Sequence, residues 1–259
     1  MPLAQINGHP LYFDDTGGDD PPVVLSHGFL MDHEMFAEQI DALRAEFRVI
    51  TWDERGFGET PAAGPFTYWD SADDLLGLLD HLNIETAVLG GMSQGGFISL
   101  RAALRAPSRV KALVLIDTQS GLEDPELLPS FEAMNDEWLA NGPANVQEIV
   151  ASLILGDGTP WEPWFAKWAV ADREQFNRAF RCLADRDDIT DRLFEIQCPA
   201  IIFHGDADVS ITMDKAEDLA DRLAGCDRLV VVPGAPHAAN MTHPEIVNPP
   251  LLEFLRTHT

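Results

Sequence analysis

Residues 87–96 of the chain read AVLGGMSQGG, and this stretch is the most informative one for the fold. A short apolar run comes first, the pattern G-x-S-x-G follows from Gly91 to Gly95, and a helical pattern begins at Gln94. A bare G-x-S-x-G match also fits a glycine-rich turn with an incidental serine, but the strand-turn-helix context favours a nucleophile. Small neighbours leave room for a sharp turn that exposes the serine hydroxyl. Ser93 is therefore the predicted catalytic nucleophile.

Further apolar runs alternate with helical patterns along the chain. The runs are short and continuous, as in strands buried on both faces, and they lie at 23–25, 47–52, 113–116, 200–203 and 229–232. Near the N-terminus, Asn7-Gly8 predicts the turn of a hairpin. Ser71 and Asn248 are the predicted N-terminal caps of two of the helices. Strands that alternate with helices predict an α/β fold with a mostly parallel sheet.

One long segment interrupts this alternation. About eighty residues between 116 and 200 have helical patterning without a clear strand, and four of the six tryptophans lie among them. A structureless loop of this length is uncommon in a compact domain. We therefore predict a core formed by residues 1–118 and 199–259, with a helical cap formed by residues 119–198.

A second motif follows the first buried run of the sheet. His27-Gly28-Phe29 comes directly after the apolar residues 23–25. An oxyanion hole needs two N–H donors about 3 Å from the developing negative charge. In this kind of site one donor is the residue after the nucleophile and the other lies in the loop after an earlier strand. Gln94 and Phe29 are the predicted donors, although an ordinary turn after a strand would read the same way.

The general base is expected among the eight histidines. His237 follows the run 229–232 through a turn of proline and glycine residues, and loops at the carboxyl ends of parallel strands carry the chemistry of α/β folds. His243 is the nearby alternative, but it precedes Pro244, which suits a position beside a helix. His237 is the predicted base.

The acid that orients this histidine has three candidates. Asp206 and Asp208 both follow the run 200–203, and Asp117 ends the run 113–116. Each could reach the same imidazole from the carboxyl end of its strand. Its role would be to hold the histidine tautomer and to stabilise the imidazolium.

Composition excludes several classes of partner. The chain has 43 acidic and 17 basic residues among 259, for a formal net charge of -26, which repels phosphate backbones and anionic membrane surfaces. No nucleic-acid or membrane partner is expected. Three widely spaced cysteines fit neither a metal site nor a disulfide framework. Residues 1–9 show no secretory signal, and no run approaches the roughly 18 apolar residues of a membrane span, so a cytoplasmic protein is expected.

The motifs together resemble the α/β-hydrolase superfamily over nearly the whole chain. They are, in order, His27-Gly28, Asp53-x-Arg55-Gly56-x-Gly58, Gly91-Met92-Ser93-Gln94-Gly95-Gly96, Gly205-Asp206-Ala207-Asp208 and Gly234-Ala235-Pro236-His237. Within the superfamily, the chain is similar to the small capped serine esterases, enol-lactone hydrolases and cofactor-free haloperoxidase-like enzymes.

This resemblance carries several implications. It implies an eight-stranded, mostly parallel sheet flanked by helices, a helical cap inserted after the sixth strand, and a site without metal or organic cofactor. It implies the triad Ser93, His237 and Asp208, because the second aspartate of a Gly-Asp-x-Asp turn usually serves in this family. Pro236 stands where the family commonly has glycine, so a stiffer histidine loop is expected.

The nucleophile limits the chemistry. Members of this fold that open epoxides or remove halides use aspartate at the elbow, so Ser93 argues for acyl transfer through an acyl-enzyme. A neutral carboxylic ester or lactone with a hydrophobic acyl part is the expected small-molecule substrate, because the acidity of the chain disfavours anionic ones. The predicted pocket residues are Met92, Trp138, Trp161 and Trp164. Trp168, Phe131 and Met134 could also wall an apolar pocket, although core packing would use such residues equally well.

Three other functions stay open at this point. The same triad could hydrolyse C–C bonds of ring-cleavage diketones. It could also act on an anionic enol-lactone, with Arg178 or Arg181 overriding the overall charge. A non-catalytic ligand-binding protein on the same fold would retain a ligand without turning it over.

Overall fold

A computed structural model describes residues 3–157 and 160–259. Its strands are β1 (Ala4–Ile6), β2 (His9–Leu11), β3 (Phe13–Asp15), β4 (Pro22–Ser26), β5 (Arg48–Trp52), β6 (Ala87–Met92), β7 (Val110–Ile116), β8 (Ala200–Gly205) and β9 (Cys226–Val232). Strands β3 to β9 form one sheet in the order β3-β5-β4-β6-β7-β8-β9. Its neighbouring strands are parallel except for the antiparallel pair β3–β5. The predicted α/β architecture with a mostly parallel sheet is confirmed.

Helices fill the connections between these strands. They are α1 (Ala37–Leu43), α2 (Tyr68–His81), α3 (Gln94–Arg105), α4 (Leu128–Asn141), α5 (Gln147–Leu155), α6 (Glu162–Val170), α7 (Arg173–Ala184), α8 (Met213–Arg222), α9 (Ala239–Thr242) and α10 (Pro244–His258). Short 3-10 helices lie at His33–Phe36, Pro107–Arg109, Pro143–Asn145 and Thr190–Glu195. Helices α4 to α7 all lie between β7 and β8, and we call them the helical insertion.

The apolar core occupies both faces of the sheet. Successive strand residues join opposite clusters: Leu89 and Leu113 belong to one, and Val88 and Val114 to the other. Alternation of side chains across a strand explains this division, and burial on both faces explains why the runs are continuously apolar. In the described ranges, no helix has both the length and the apolar character needed to cross a bilayer.

The expected eight-stranded sheet is a seven-stranded sheet beside a separate hairpin. Strands β1 and β2 pair only with each other, across a turn in which Asn7 and Gly8 have φ of 51° and 77°. The break between β2 and β3 falls at Tyr12, whose N–H donates to the Thr60 hydroxyl at 2.9 Å. When 9–15 is counted as one interrupted strand, the helical insertion follows the sixth strand, as expected.

Two predicted helix caps are wrong. Helix α2 begins before Ser71 because Thr67 and Asp70 form a reciprocal capping box. The Ser71 hydroxyl instead donates to Glu54 at 2.6 Å. Helix α10 begins at Pro244 rather than after Asn248, whose side-chain oxygen accepts a hydrogen bond from Gln39.

Candidate active site

Ser93 lies in a strained turn between β6 and α3. Its φ of 52° and ψ of -114° lie in a region that residues other than glycine rarely occupy. Two contacts hold this backbone: the Ser93 N–H donates to the Ile116 carbonyl at 2.9 Å, and the Ser93 carbonyl accepts from the Thr118 hydroxyl at 2.7 Å. The hydrogen bond from Thr118 is a contact that sequence patterns did not indicate. These hydrogen bonds stabilise a backbone conformation that is otherwise unfavourable, and such strained residues are common at functional sites.

The glycines around Ser93 are required by close backbone approach. A Cβ atom on Gly95 would collide with the Ser26 carbonyl, and one on Gly91 would collide with the backbone of Gly95. The turn therefore packs directly against the end of β4. This contact explains the spacing of the G-x-S-x-G motif.

His237 and Asp208 are hydrogen-bonded to each other. The His237 Nδ1 atom lies 2.7 Å from Asp208 Oδ2. The other carboxylate oxygen, Asp208 Oδ1, accepts the N–H groups of Ser210 at 2.8 Å and Ile211 at 3.0 Å. The loop after β8 therefore fixes the carboxylate, and the carboxylate fixes the imidazole.

The two pKa values in this pair move apart. Burial would lower the pKa of His237, but the charge and hydrogen bond of Asp208 outweigh it, with smaller contributions from Asp117 and Glu123, so this pKa is raised. Burial would raise the pKa of Asp208, but the charge and hydrogen bond of His237 lower it. The arrangement keeps Asp208 ionised and favours a proton on His237.

The alternative acids have other partners. Asp117 is fully buried, and its two oxygens accept the N–H groups of Gly205 at 2.8 Å and Ala239 at 2.9 Å. Burial, followed by the charge of Asp208, raises the pKa of Asp117 to about 8. Asp206 accepts the Gly234 N–H at 2.6 Å. Both therefore brace the loops around His237, and Asp208 is the acid that contacts the imidazole.

One buried group has the composition of a metal site. Asp117, His204 and Asp208 bring potential ligand atoms within 4.8 Å of one another. Their hydrogen bonds already use much of this capacity: His204 Nε2 lies 2.8 Å from the Ile211 carbonyl, and both carboxylates hold backbone N–H groups. The arrangement suits a polar support beneath the histidine loop.

The predicted oxyanion donors lie in the loop after β4 and at the first residue of α3. Phe29 lines the same cavity as Ser93, and Gln94 begins α3 directly after it. In the described residues, neither N–H group has a hydrogen-bond acceptor. The Gln94 side chain is fully buried and accepts a hydrogen bond from Tyr68 at 3.2 Å. This tyrosine is a second contact that sequence patterns did not indicate.

His27 holds the loop after β4 in place. Its Nε2 atom accepts the Glu54 N–H at 2.9 Å, which leaves Nδ1–H to donate to the Gly28 carbonyl at 2.8 Å. Burial lowers the pKa of His27, so the neutral form with this tautomer is favoured. The histidine of the His27-Gly28 motif is thus a positioning residue.

Ser93 and His237 both line a mostly apolar cavity of about 120 Å³. The helical insertion supplies much of its wall, including Phe131, Met134, Trp138, Val150, Leu153 and Phe176. Among the predicted pocket residues, Trp138, Phe131 and Met134 lie on this wall, and the others do not. Met92 packs in the core against Gly28, Trp161 donates to the Gly156 carbonyl, and Trp164 is buried under Lys167. Helical spacing alone did not distinguish the cavity face from the core face.

Pro236 ties the histidine loop to the helical insertion. A Cβ atom on Gly156, at the end of α5, would lie 3.0 Å from the Pro236 ring. The next loop residue but one, Ala238, donates its N–H to the Ile154 carbonyl at 2.8 Å. The proline that departs from the family pattern is therefore a packing contact between the histidine loop and α5.

A buried acid beside His27, Glu54, predicts a pH-dependent stability. Burial raises the pKa of Glu54 to about 8, although the Ser71 hydrogen bond opposes the shift. Between the unfolded and folded pKa values the folded state binds the extra proton, so stability falls as pH rises through this window. Glu54→Gln removes the ionisable group and is expected to flatten that fall by roughly 1 kcal/mol per pH unit.

Chemical denaturation at pH 6 and pH 8 measures this effect. The exposed Glu59 provides a matched control, because Glu59→Gln changes the same charge on the surface. Equal pH slopes for wild type and Glu54→Gln would contradict the expected shift.

Comparisons with known proteins are consistent with this geometry. A family model described as the alpha/beta hydrolase fold matches residues 21–244. A thermophilic esterase from Thermogutta terrifontis is 31% identical with a TM-score of 0.90, covering 100% of this chain and 99% of that chain. The enol-lactonase from Burkholderia xenovorans LB400 is 26% identical with a TM-score of 0.91, covering 98% and 100%. A bifunctional esterase/perhydrolase from Acinetobacter calcoaceticus is 26% identical over 275 residues, covering 97% and 98%.

Proposed function

The chain belongs to the α/β-hydrolase family, and we propose that it is a serine hydrolase of neutral carboxylic esters or lactones with an apolar acyl part. One observation carries the proposal. Ser93 and His237 line the same mostly apolar cavity, and His237 is hydrogen-bonded to a buried carboxylate, Asp208. The similarity to an esterase and an enol-lactonase supports this class of reaction.

The proposed mechanism follows from these positions. His237 takes the proton of the Ser93 hydroxyl as the oxygen attacks the acyl carbonyl, and Asp208 stabilises the imidazolium. The N–H groups of Phe29 and Gln94 bind the oxyanion. His237 then gives the proton to the leaving alcohol. Water then attacks the acyl carbonyl of the acyl-enzyme while His237 takes its proton. His237 returns that proton to the Ser93 oxygen as the acyl–oxygen bond breaks, which releases the carboxylic acid.

We also propose the division of labour between the two parts of the chain. Residues 1–118 and 199–259 form the catalytic core, and residues 119–198 form a cap that determines which acyl groups fit. The wall residues contributed by α4, α5 and α7 support this assignment.

The cavity volume predicts a preference for short acyl chains. A cavity of about 120 Å³ is close to the roughly 150 Å³ that accommodates benzene in an apolar protein site. For p-nitrophenyl esters of rising chain length, kcat/KM is expected to peak at about four to six acyl carbons and to fall for longer chains. The panel includes neutral and anionic lactones and a ring-cleavage diketone, with Ser93→Ala as the blank.

The preferred substrate in the panel distinguishes the proposed function from its alternatives. Ser93-dependent turnover of short neutral esters or lactones supports the proposed function. A preference for the diketone would assign C–C hydrolysis instead, and a preference for the anionic lactone would refute the electrostatic argument. Tight retention of a ligand without turnover would point to a binding protein.

A further inference from the structure

The cavity beside Ser93 has an acidic side chain in its wall. Glu123 lies in the loop after β7 and lines the cavity together with Ser93 and His237. Its Oε1 atom lies 2.9 Å from the buried guanidinium of Arg186, which also donates to the carbonyls of Gly121 and Leu183. The carboxylate is therefore held in place, and its second oxygen has no hydrogen-bond donor among the described residues.

This carboxylate acts on the cavity through its charge. The Glu123 side chain is 11% exposed, so water screens its charge poorly. Glu123 is also one of the groups whose charge contributes to the raised pKa of His237, after the larger contributions of Asp208 and Asp117. Arg186 offsets this charge only in part, because Glu123 still contributes to the raised pKa of His237. A negatively charged group on the substrate would therefore be repelled by Glu123 in an apolar cavity, where screening is weak.

From these observations we propose that Glu123 is the residue that excludes carboxylates from the cavity. The inference rests on the proposed ester hydrolysis and names the residue that determines its charge selectivity.

Three ethyl esters of similar length test the selection on the unmodified protein. Ethyl valerate ends in a methyl group, ethyl 5-hydroxyvalerate in a hydroxyl, and monoethyl glutarate in a carboxylate. The hydroxylated ester is the polar but neutral control. We expect kcat/KM for the anionic ester to lie at least about 10-fold below the values for both neutral esters. An anionic ester hydrolysed as fast as ethyl valerate overturns the proposal, whatever any variant does.

Glu123→Gln assigns the effect to one residue. The glutamine oxygen can still accept from Arg186, but the negative charge is gone. The ratio of anionic to neutral kcat/KM is expected to rise about 10-fold. Glu132→Gln is the matched control, because Glu132 is a half-exposed partner of Arg181 that does not line the cavity, and its ratio should stay unchanged.

The outcomes separate this inference from the proposed function. Ser93-dependent hydrolysis with an unchanged ratio in Glu123→Gln overturns the role of Glu123 alone. Failure of all three esters overturns the proposed ester hydrolysis and this inference with it. An equal rise in Glu132→Gln would assign the discrimination to the overall charge of the chain and would also overturn the role of Glu123.

Discussion

Ser93→Ala is expected to lower kcat for ester hydrolysis by about 10⁵-fold, because the acyl-enzyme can no longer form. The backbone of the turn should persist. The Ser93 N–H bonds the Ile116 carbonyl, and the Ser93 carbonyl bonds the Thr118 hydroxyl, so neither contact uses the serine side chain. Alanine removes only the hydroxyl, and the thermal unfolding midpoint should remain close to that of the wild type.

Steady-state kinetics with a short p-nitrophenyl ester measure this loss. Ser120 offers a matched control, because its buried hydroxyl bonds Thr190 and does not line the cavity. Ser120→Ala should retain the activity of the wild type within about 10-fold. Retained hydrolysis by a folded Ser93→Ala protein would show that another group attacks the ester.

The second large effect is expected for Asp208→Asn, with a loss of about 10⁴-fold in kcat. The asparagine oxygen can keep the bonds to the N–H groups of Ser210 and Ile211, which leaves the amide NH₂ facing His237. His237 must then accept at Nδ1 and carry its proton on Nε2. The nitrogen that would face Ser93 has no free lone pair in this tautomer, so base catalysis fails.

The pH dependence gives a second measure of the same pair. In the wild type the raised pKa of His237 means that kcat/KM falls as pH decreases through that value, because the base becomes protonated. Asp208→Asn removes the charge that raises this pKa, so the residual acid limb should shift to lower pH.

Asp206→Asn is the control for Asp208→Asn. Asp206 accepts only the Gly234 N–H in the described residues, and it does not contact the imidazole. Its replacement should cost less than about 10-fold in kcat. Equal losses for the two variants would contradict the distinction between a catalytic acid and a brace for the turn.

Sequence patterns correctly predicted the strands and turns that depend on residues adjacent in the sequence. Continuous apolar runs indicated strands buried on both faces, and the glycines around Ser93 indicated the sharp turn into α3. Asn7-Gly8 indicated the hairpin turn, where the structure has positive φ at both residues. The resemblance favoured Asp208 over Asp117, and in the structure Asp208 accepts a hydrogen bond from His237 Nδ1.

Contacts between residues far apart in the sequence explain where the structure differs from the predictions. The ladder breaks at Tyr12 because Thr60, distant in the chain, accepts its N–H. Ser71 resembles a helix cap in sequence, but its hydroxyl bonds the buried Glu54. A tryptophan pattern on helices also cannot tell a cavity from a core, so Trp161 and Trp164 could not be separated from Trp138.

The overall acidity has a local counterpart in the cavity. Composition disfavoured anionic substrates through a net charge of -26, which acts at long range and is screened by salt. Glu123 places a poorly screened negative charge in the cavity wall. Discrimination against carboxylates should therefore persist at high ionic strength, where a purely long-range effect would fade.

Active-site labelling identifies the nucleophile itself. The protein is titrated with a serine-directed organophosphonate while ester hydrolysis is followed, and the modified residue is located by peptide mass spectrometry. We expect one equivalent to abolish activity and the phosphonate to be found on Ser93. Full activity after complete modification of Ser93, or inactivation with the label on another residue, would contradict this assignment.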